Sequence, residues 1–259
     1  MINLIDQFLH LPTIVGAVLL MGLTTLVGLL TYLLSTHLFT NSQSKDTRRA
    51  AGYLFRAIGI LVSLFLSLTF ADVVLELNQI EAAIEREAVM IEDIYRDLGR
   101  YESGRAWKAQ ELLVNYTSAV IDFDWPALAN DKLSEEARDA FDQLEYEVLH
   151  LEDETELQGI LRARIISDVD LLSDLRLIRL EQALAKPPLF LIVVFFGFLT
   201  IMVCFGAHQP NRTILILMSL YTMLVGLVIY LILAYSDPFQ GSTGIDPMSL
   251  QFVLDQIRH

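Results

Sequence analysis

The chain has 259 residues, 54% of them apolar and 19% charged, with a formal net charge of −14. A mean hydropathy of +0.47 is too high for an ordinary soluble domain and points to a membrane protein. The single cysteine, Cys204, excludes a disulfide framework and a cysteine-based metal cage, and the acidic balance argues against nucleic acid, whose phosphates need clustered Lys and Arg.

The charge is segregated. Glu76 to Lys186 holds 26 acids and 12 bases; the remainder holds 6 of each. The expected fold is an all-α membrane protein, with four transmembrane helices and an acidic extramembrane helical bundle inserted between the second and third. Its expected divisions are 1–75 (N-terminal segment and spans one and two), 76–186 (acidic bundle), 187–236 (spans three and four) and 237–259 (a turn and a short amphipathic helix).

Met1 to Pro12 reads as an interfacial segment. Span one has its apolar heart from Thr13 to Phe39. It has no base before it and is too long for the core of a cleaved signal, so it reads as a retained helix. Span two lies between Arg56 and Asp72. It reaches the ~20 residues a bilayer requires if it starts near Gly52 and Arg56 snorkels.

The acidic segment has four apolar stripes of helical period. The first, Leu77, Ile80, Ile84, Ala88, Ile91, Ile94 and Leu98, continues span two and ends near Gly99. The second helix covers Arg105 to Ile121, with Leu113, Tyr116 and Val120 on one face, and Pro126 marks a break. The third starts at Ser134, a good N-cap, with the stripe Ala137, Phe141, Leu144, Val148 and Leu151. The fourth starts after Thr155 and carries Leu157, Leu161, Ile165, Leu172 and Leu175. Helices one and four run into spans two and three, which predicts an antiparallel bundle.

Span three runs from Pro187 to Ala207 and span four from Thr213 to Ser236. After it, Asp246 as N-cap and Pro247 as first residue restart a helix whose Leu250, Val253, Leu254 and Ile257 lie at the membrane surface or against the bundle. Lys45, Arg48, Arg49 and Arg212 mark the two short loops as cytoplasmic. That places the acidic segment and both termini on the extracytoplasmic side of the plasma (inner) membrane, in a periplasm or its equivalent.

In span two, Gly59, Ser63, Ser67 and Ala71 recur every four residues. Small residues at that spacing allow close helix packing in lipid; the same strip, with Thr69, is also a candidate pore lining. Asp72 and Glu76, one turn apart, would stack as acidic rings at a pore mouth in a symmetric oligomer, or simply mark where the helix leaves the bilayer. Glu147-x-x-His150 is one fragment of a di-iron pattern without its partners. Glu152-Asp153-Glu154-x-Glu156 lacks the glycine and spacing of a calcium loop. Both read as solvated surface. No phosphate loop, nucleophile elbow or two-histidine zinc helix occurs, so the expectation is a protein that is not an enzyme, with no cofactor and no metal.

The order of elements ends in Ser236-Asp237-Pro238-Phe239-Gln240-Gly241. Within the acidic segment come Glu87-Ala88, Ile94-Tyr95-Arg96, Asp124-Trp125-Pro126-Ala127-Leu128 and Arg176-x-x-Arg179-Leu180. Together these resemble the bacterial membrane family labelled bestrophin-like, over nearly the whole chain, with Asp237, Pro238, Phe239 and Gly241 as the most specific piece. The resemblance implies kinship with bestrophins, pentameric anion channels whose second span lines the pore. Two readings follow. One is an oligomeric ion channel lined by span two, with inorganic ions as partners. The other is a non-catalytic accessory or scaffold subunit that docks partners through its acidic segment.

Overall fold

The computed structural model describes residues 12–38, 45–183, 190–208, 210–239 and 244–258. They form helices α1 (Thr13–Leu38), α2 (Lys45–Tyr101), α3 (Gly104–Ala119), α4 (Trp125–Leu128), α5 (Glu135–Leu149), α6 (Glu156–Ala183), α7 (Phe190–Phe205), α8 (Arg212–Tyr235) and α9 (Met248–Arg258). A π-helical turn, Val120–Asp124, joins α3 to α4. No strand occurs among the described residues. The chain divides into two compact units, residues 1–75 with 186–243 and residues 76–185 with 244–259.

In the first unit three helices are long and apolar enough to cross a bilayer: Thr13–His37, the apolar part of Arg49–Tyr101, and Arg212–Tyr235. The fourth apolar helix, α7, has 16 residues. Pro187 and Pro188, expected at its start, lie outside the described residues, as does Met1 to Leu11. α2 begins at Lys45, seven residues before the expected start at Gly52, so Lys45, Arg48 and Arg49 occupy its first turns.

Small residues set the helix crossings. A side chain at Gly226 would press on the Met21 backbone and Thr24, and one at Gly28 on Thr222 and Phe198. α1 and α8 therefore approach closely, and hydroxyls reach across: Thr24 donates to the Thr222 carbonyl and Thr222 to the Thr25 hydroxyl, both at 3.2 Å. Gly197 of α7 makes room for Val62 of α2 in the same way. Phe55 meets Phe205 edge-on at 4.8 Å between ring centres, and Phe65 stacks on Phe190 at 6.3 Å. Such fitting matters because lipid supplies no hydrophobic drive between helices.

The second unit is a helical bundle. Ile80, Ile84, Ala88, Ile91, Ile94 and Leu98 of α2 are buried, as are Leu113, Tyr116, Leu144, Leu151, Ile165 and Leu172. Leu157, expected on the apolar stripe of α6, is exposed: it sits in the helix's first turn. Gly99 does not stop α2. Gln110 of α3 occupies the space its side chain would take and donates to the Tyr95 carbonyl at 2.8 Å. The helix runs two residues further, to Tyr101; Glu102 follows in the left-handed region (φ 55°), and Ser103 then caps α3 through the Ala106 amide. Ser134 caps α5 through the Ala137 amide at 3.1 Å.

Pro126 does not itself break the chain's helical course. It falls in the first turn of α4, where its missing N–H costs little. In an unbroken α-helix its ring would collide with the carbonyl four residues back. That residue lies in the π-turn, where the Trp125 amide bonds Val120 instead. α9 starts one residue later than expected, with the Pro247 carbonyl accepting from Gln251 at 2.9 Å. It packs Leu250, Val253, Leu254 and Ile257 inward, against α3 among others.

Candidate functional site

Two features single themselves out, one in each unit. The first is the uncovered face of α2. Val62, Leu66, Thr69 and Val73 are its buried side. Ser63, Ser67 and Ala71 are exposed and Gly59 is half-covered. At ~100° per residue, Ser63 and Ala71 lie about 40° to either side of Ser67, while Gly59 lies about 80° away. Thr69 lies about 160° away on the packed side, where its hydroxyl returns to the Phe65 carbonyl at 2.8 Å. The small strip and Thr69 therefore do not share a face. Ser67 donates to the Ser63 carbonyl at 2.8 Å, which leaves its oxygen's remaining acceptor capacity facing outward.

The same helix phase separates the acidic pair from the strip. Asp72 is exposed but points about 140° from Ser67, and Glu76, also exposed, follows one turn after Asp72. The charges that do fall on the line of Ser67 are basic. Arg56 lies within about 20° of it and Arg49 almost on it, and both are exposed. Among the described residues neither has an acidic partner. In the C-terminal motif, Phe239 is buried, Pro238 is buried, and the Phe239 amide meets the Asp237 carboxylate at 3.4 Å in an Asx turn. Gly241 lies outside the described residues.

The second feature is an ionic cluster closed to water. Glu87 of α2, Asp124 of the π-turn and Arg179 of α6 are 0 to 1% exposed. Arg179 Nε donates to Glu87 Oε2 at 2.9 Å and Nη1 to Asp124 Oδ2 at 2.6 Å. Tyr116 of α3 donates its hydroxyl to Glu87 Oε1 at 2.9 Å, and the Ser134 amide approaches Asp124 Oδ1 at 3.4 Å. The Arg179 guanidinium also lies 5.8 Å from the Trp125 ring centre. Burial works against the Arg179 charge, but the carboxylates of Glu87 and Asp124 outweigh it and hold the guanidinium ionised. Burial and then the Glu87 charge push the Tyr116 hydroxyl well above the usual phenol range, so it stays a donor. Each charged partner is satisfied. The cluster fixes four helical elements to one another and has no open coordination position.

Around it, exposed cations hold buried carboxylates. Asp97 is paired with Arg100 at 3.2 Å and with Arg164. Glu147 receives Lys108 at 2.7 Å and Arg105 at 3.2 Å. Glu147 is thus engaged between α3 and α5, while His150 turns its Nδ1 to the Tyr146 carbonyl at 2.7 Å. The two residues of the Glu-x-x-His pair are used separately. Asp153 of the acidic run pairs with Arg162 at 3.3 Å.

Glu87, Asp124 and Arg179 carried a readable signal. Glu87 sits between Ile84 and Ile91 on the α2 stripe. Arg179 continues the buried series Leu161, Ile165, Val169, Leu172 and Leu175. A charge in a core register needs a buried partner, and the motif residues Asp124 and Trp125 supply it.

A family model described as Bestrophin-like domain matches residues 13–250. Among solved structures, a point mutant of a bacterial Bestrophin homolog from Klebsiella pneumoniae is similar, with a TM-score of 0.65, 12% identity, and coverage of 91% of this chain and 96% of that one. The likeness is one of fold. No curated protein matches the chain.

Proposed function

This chain belongs to the Bestrophin-like family, and from that premise we propose that it is a homo-oligomeric membrane ion channel whose path is lined by the uncovered face of α2. The observation that carries this reading is the line Arg49, Arg56, Ser63, Ser67 and Ala71, exposed along an otherwise apolar helix. At this end of the span a guanidinium must reach water, by snorkelling or through a wet path, and a water-filled path along this face meets that need directly. With Arg56 rather than Asp72 on the line of the serines, the path selects anions.

In this reading α1, the first part of α2, α7 and α8 are the four spans. The acidic unit stands outside the bilayer, on the extracytoplasmic side by the distribution of basic residues. Oligomer formation is supported by a second uncovered line on α6, where Ile160, Leu171 and Ile178 are all exposed and lie within about 20° of one another. A solvated helix in a monomer does not need such a row. The row is equally the feature that favours an accessory subunit docking a partner.

Cysteine substitution tests the assignment. Cys204 is buried, so the native background is quiet to thiol reagents. In liposomes, Ser63→Cys and Ser67→Cys are expected to react with a charged, membrane-impermeant thiol reagent and to lose conductance on reaction. Leu61→Cys and Leu68→Cys, about 100–120° away from Ser67, are expected to stay unreactive. Unmodified liposomes that show no conductance in a chloride gradient would remove the channel reading in favour of the accessory one. Conductance without block at either serine would move the path away from α2.

A further inference from the structure

The π-turn has a geometry that an ordinary helix cannot reproduce. It inserts one residue between α3 and α4, with the Trp125 amide bonded to Val120. One residue rotates everything after it by about 100°. In this register Asp124 meets Arg179 at 2.6 Å, and the Trp125 indole N–H donates to the Ile245 carbonyl at 3.0 Å. In the all-α register both side chains would turn away from these partners. The two registers are discrete, and π-turns of this kind concentrate at functional positions.

Ile245 opens the C-terminal segment, the stretch that follows α8 and leads into α9. α9 is buried through Leu250, Val253, Leu254 and Ile257. Its other polar ties, Gln256 to Glu92 and Arg258 to Ser118, are exposed and contribute little. The contact at Ile245 differs, because the Trp125 ring that makes it also lies beside the buried Arg179. We propose that the π-turn is a latch: Asp124 on Arg179 sets the register in which Trp125 clasps Ile245, and opening it frees residues 244–258 as a strap while the bundle stays folded. A buried ionic group fixes one of two packings here, which is the best-attested role for such groups.

The test uses the full chain in lipid nanodiscs. Trp107→Phe leaves Trp125 as the single indole, since the chain has two tryptophans. In that background Asp124→Asn is expected to shift Trp125 emission to the red. Peptides from 244–258 should then exchange amide hydrogens about five- to tenfold faster, the effect of losing roughly one hydrogen bond. Peptides from 135–149 should keep their protection. Deleting the exposed Asp122, which takes the extra residue out of the turn, should release the same segment. Unchanged exchange of 244–258 in both variants overturns the latch. So does loosening of 135–149 and 244–258 to the same degree, which would mark the cluster as general support. Should Asp124→Asn fail to fold, Trp125→Phe removes the indole donor while keeping an aromatic ring beside Arg179. Release of 244–258 in that variant supports the latch, and its absence overturns it.

Discussion

Replacing Arg179 by methionine keeps most of the side-chain bulk and removes the charge. Glu87 and Asp124 are then left as two carboxylates in a site closed to water, with Tyr116 and the Ser134 amide as their remaining donors. Removing one partner of a buried ion pair typically costs about 3–5 kcal/mol. For a chain of this size each kcal/mol moves the melting midpoint by about 2–4 °C, so Arg179→Met should lower it by about 6–20 °C. The assay is a thermal melt of the detergent-solubilised protein at neutral pH, followed by far-ultraviolet circular dichroism. Arg164→Met gives the comparison. Its guanidinium is half exposed and Asp97 keeps Arg100, so the loss should be far smaller than that of Arg179→Met. The variant that also carries Glu87→Gln and Asp124→Asn should recover much of the deficit, because no uncompensated charge remains. A midpoint for Arg179→Met within 2 °C (roughly 1 kcal/mol or less) of the native protein would refute the reasoning. So would a triple variant less stable than the single one.

In the membrane unit, Gly226→Val should separate α1 from α8, since a Cβ there lies 3.0 Å from the Met21 Cα and closer still to Thr24. Overpacking of this kind costs about 1–3 kcal/mol, and the expected readout is a lower melting midpoint with loss of assembled protein on size exclusion. The pH dependence of the second unit follows from Glu147. The Lys108 hydrogen bond, with Coulombic help from Lys108 and Arg105, holds its carboxyl below the ordinary glutamate value of 4.5. A lowered value in the folded state means that the contribution is complete above the ordinary value and disappears as the pH falls through the lowered one. Protection of 135–149, taken relative to the intrinsic exchange rate at each pH, should therefore fall below about pH 4.5 in the native protein, and Glu147→Gln should abolish that step.

Much of the bundle was legible because apolar spacing is a local property. Ile84, Ile91 and Leu98 repeat at helical period, and Ser134 announces a cap, without any knowledge of what they pack against. The register of α2 was legible in principle too. Ser63 and Ser67 attract notice by type, but only helix phase shows that Arg56 shares their line and that Thr69 and Asp72 do not. The π-turn was not legible. Pro126 signals a disturbance, yet whether the chain breaks, kinks or widens depends on Arg179, more than 50 residues away. Leu157 misled for the opposite reason: it fits the stripe by spacing, but in the first turn of α6 it stays 63% exposed while its neighbour Gln158 makes the contact, donating to the Tyr101 carbonyl.

The threonines between α1 and α8 limit how those helices can move. Thr24, Thr25 and Thr222 meet at one level, with Gly226 one turn further on. A piston stroke of one turn, about 5.4 Å, would leave these hydroxyls bonded only to carbonyls of their own helices and drive a larger side chain into the notch. Tilting about the same level leaves the cluster intact. This pair is therefore a pivot, and any rearrangement of the membrane unit should show α1 and α8 tilting about the Thr24–Thr222 level without sliding along one another.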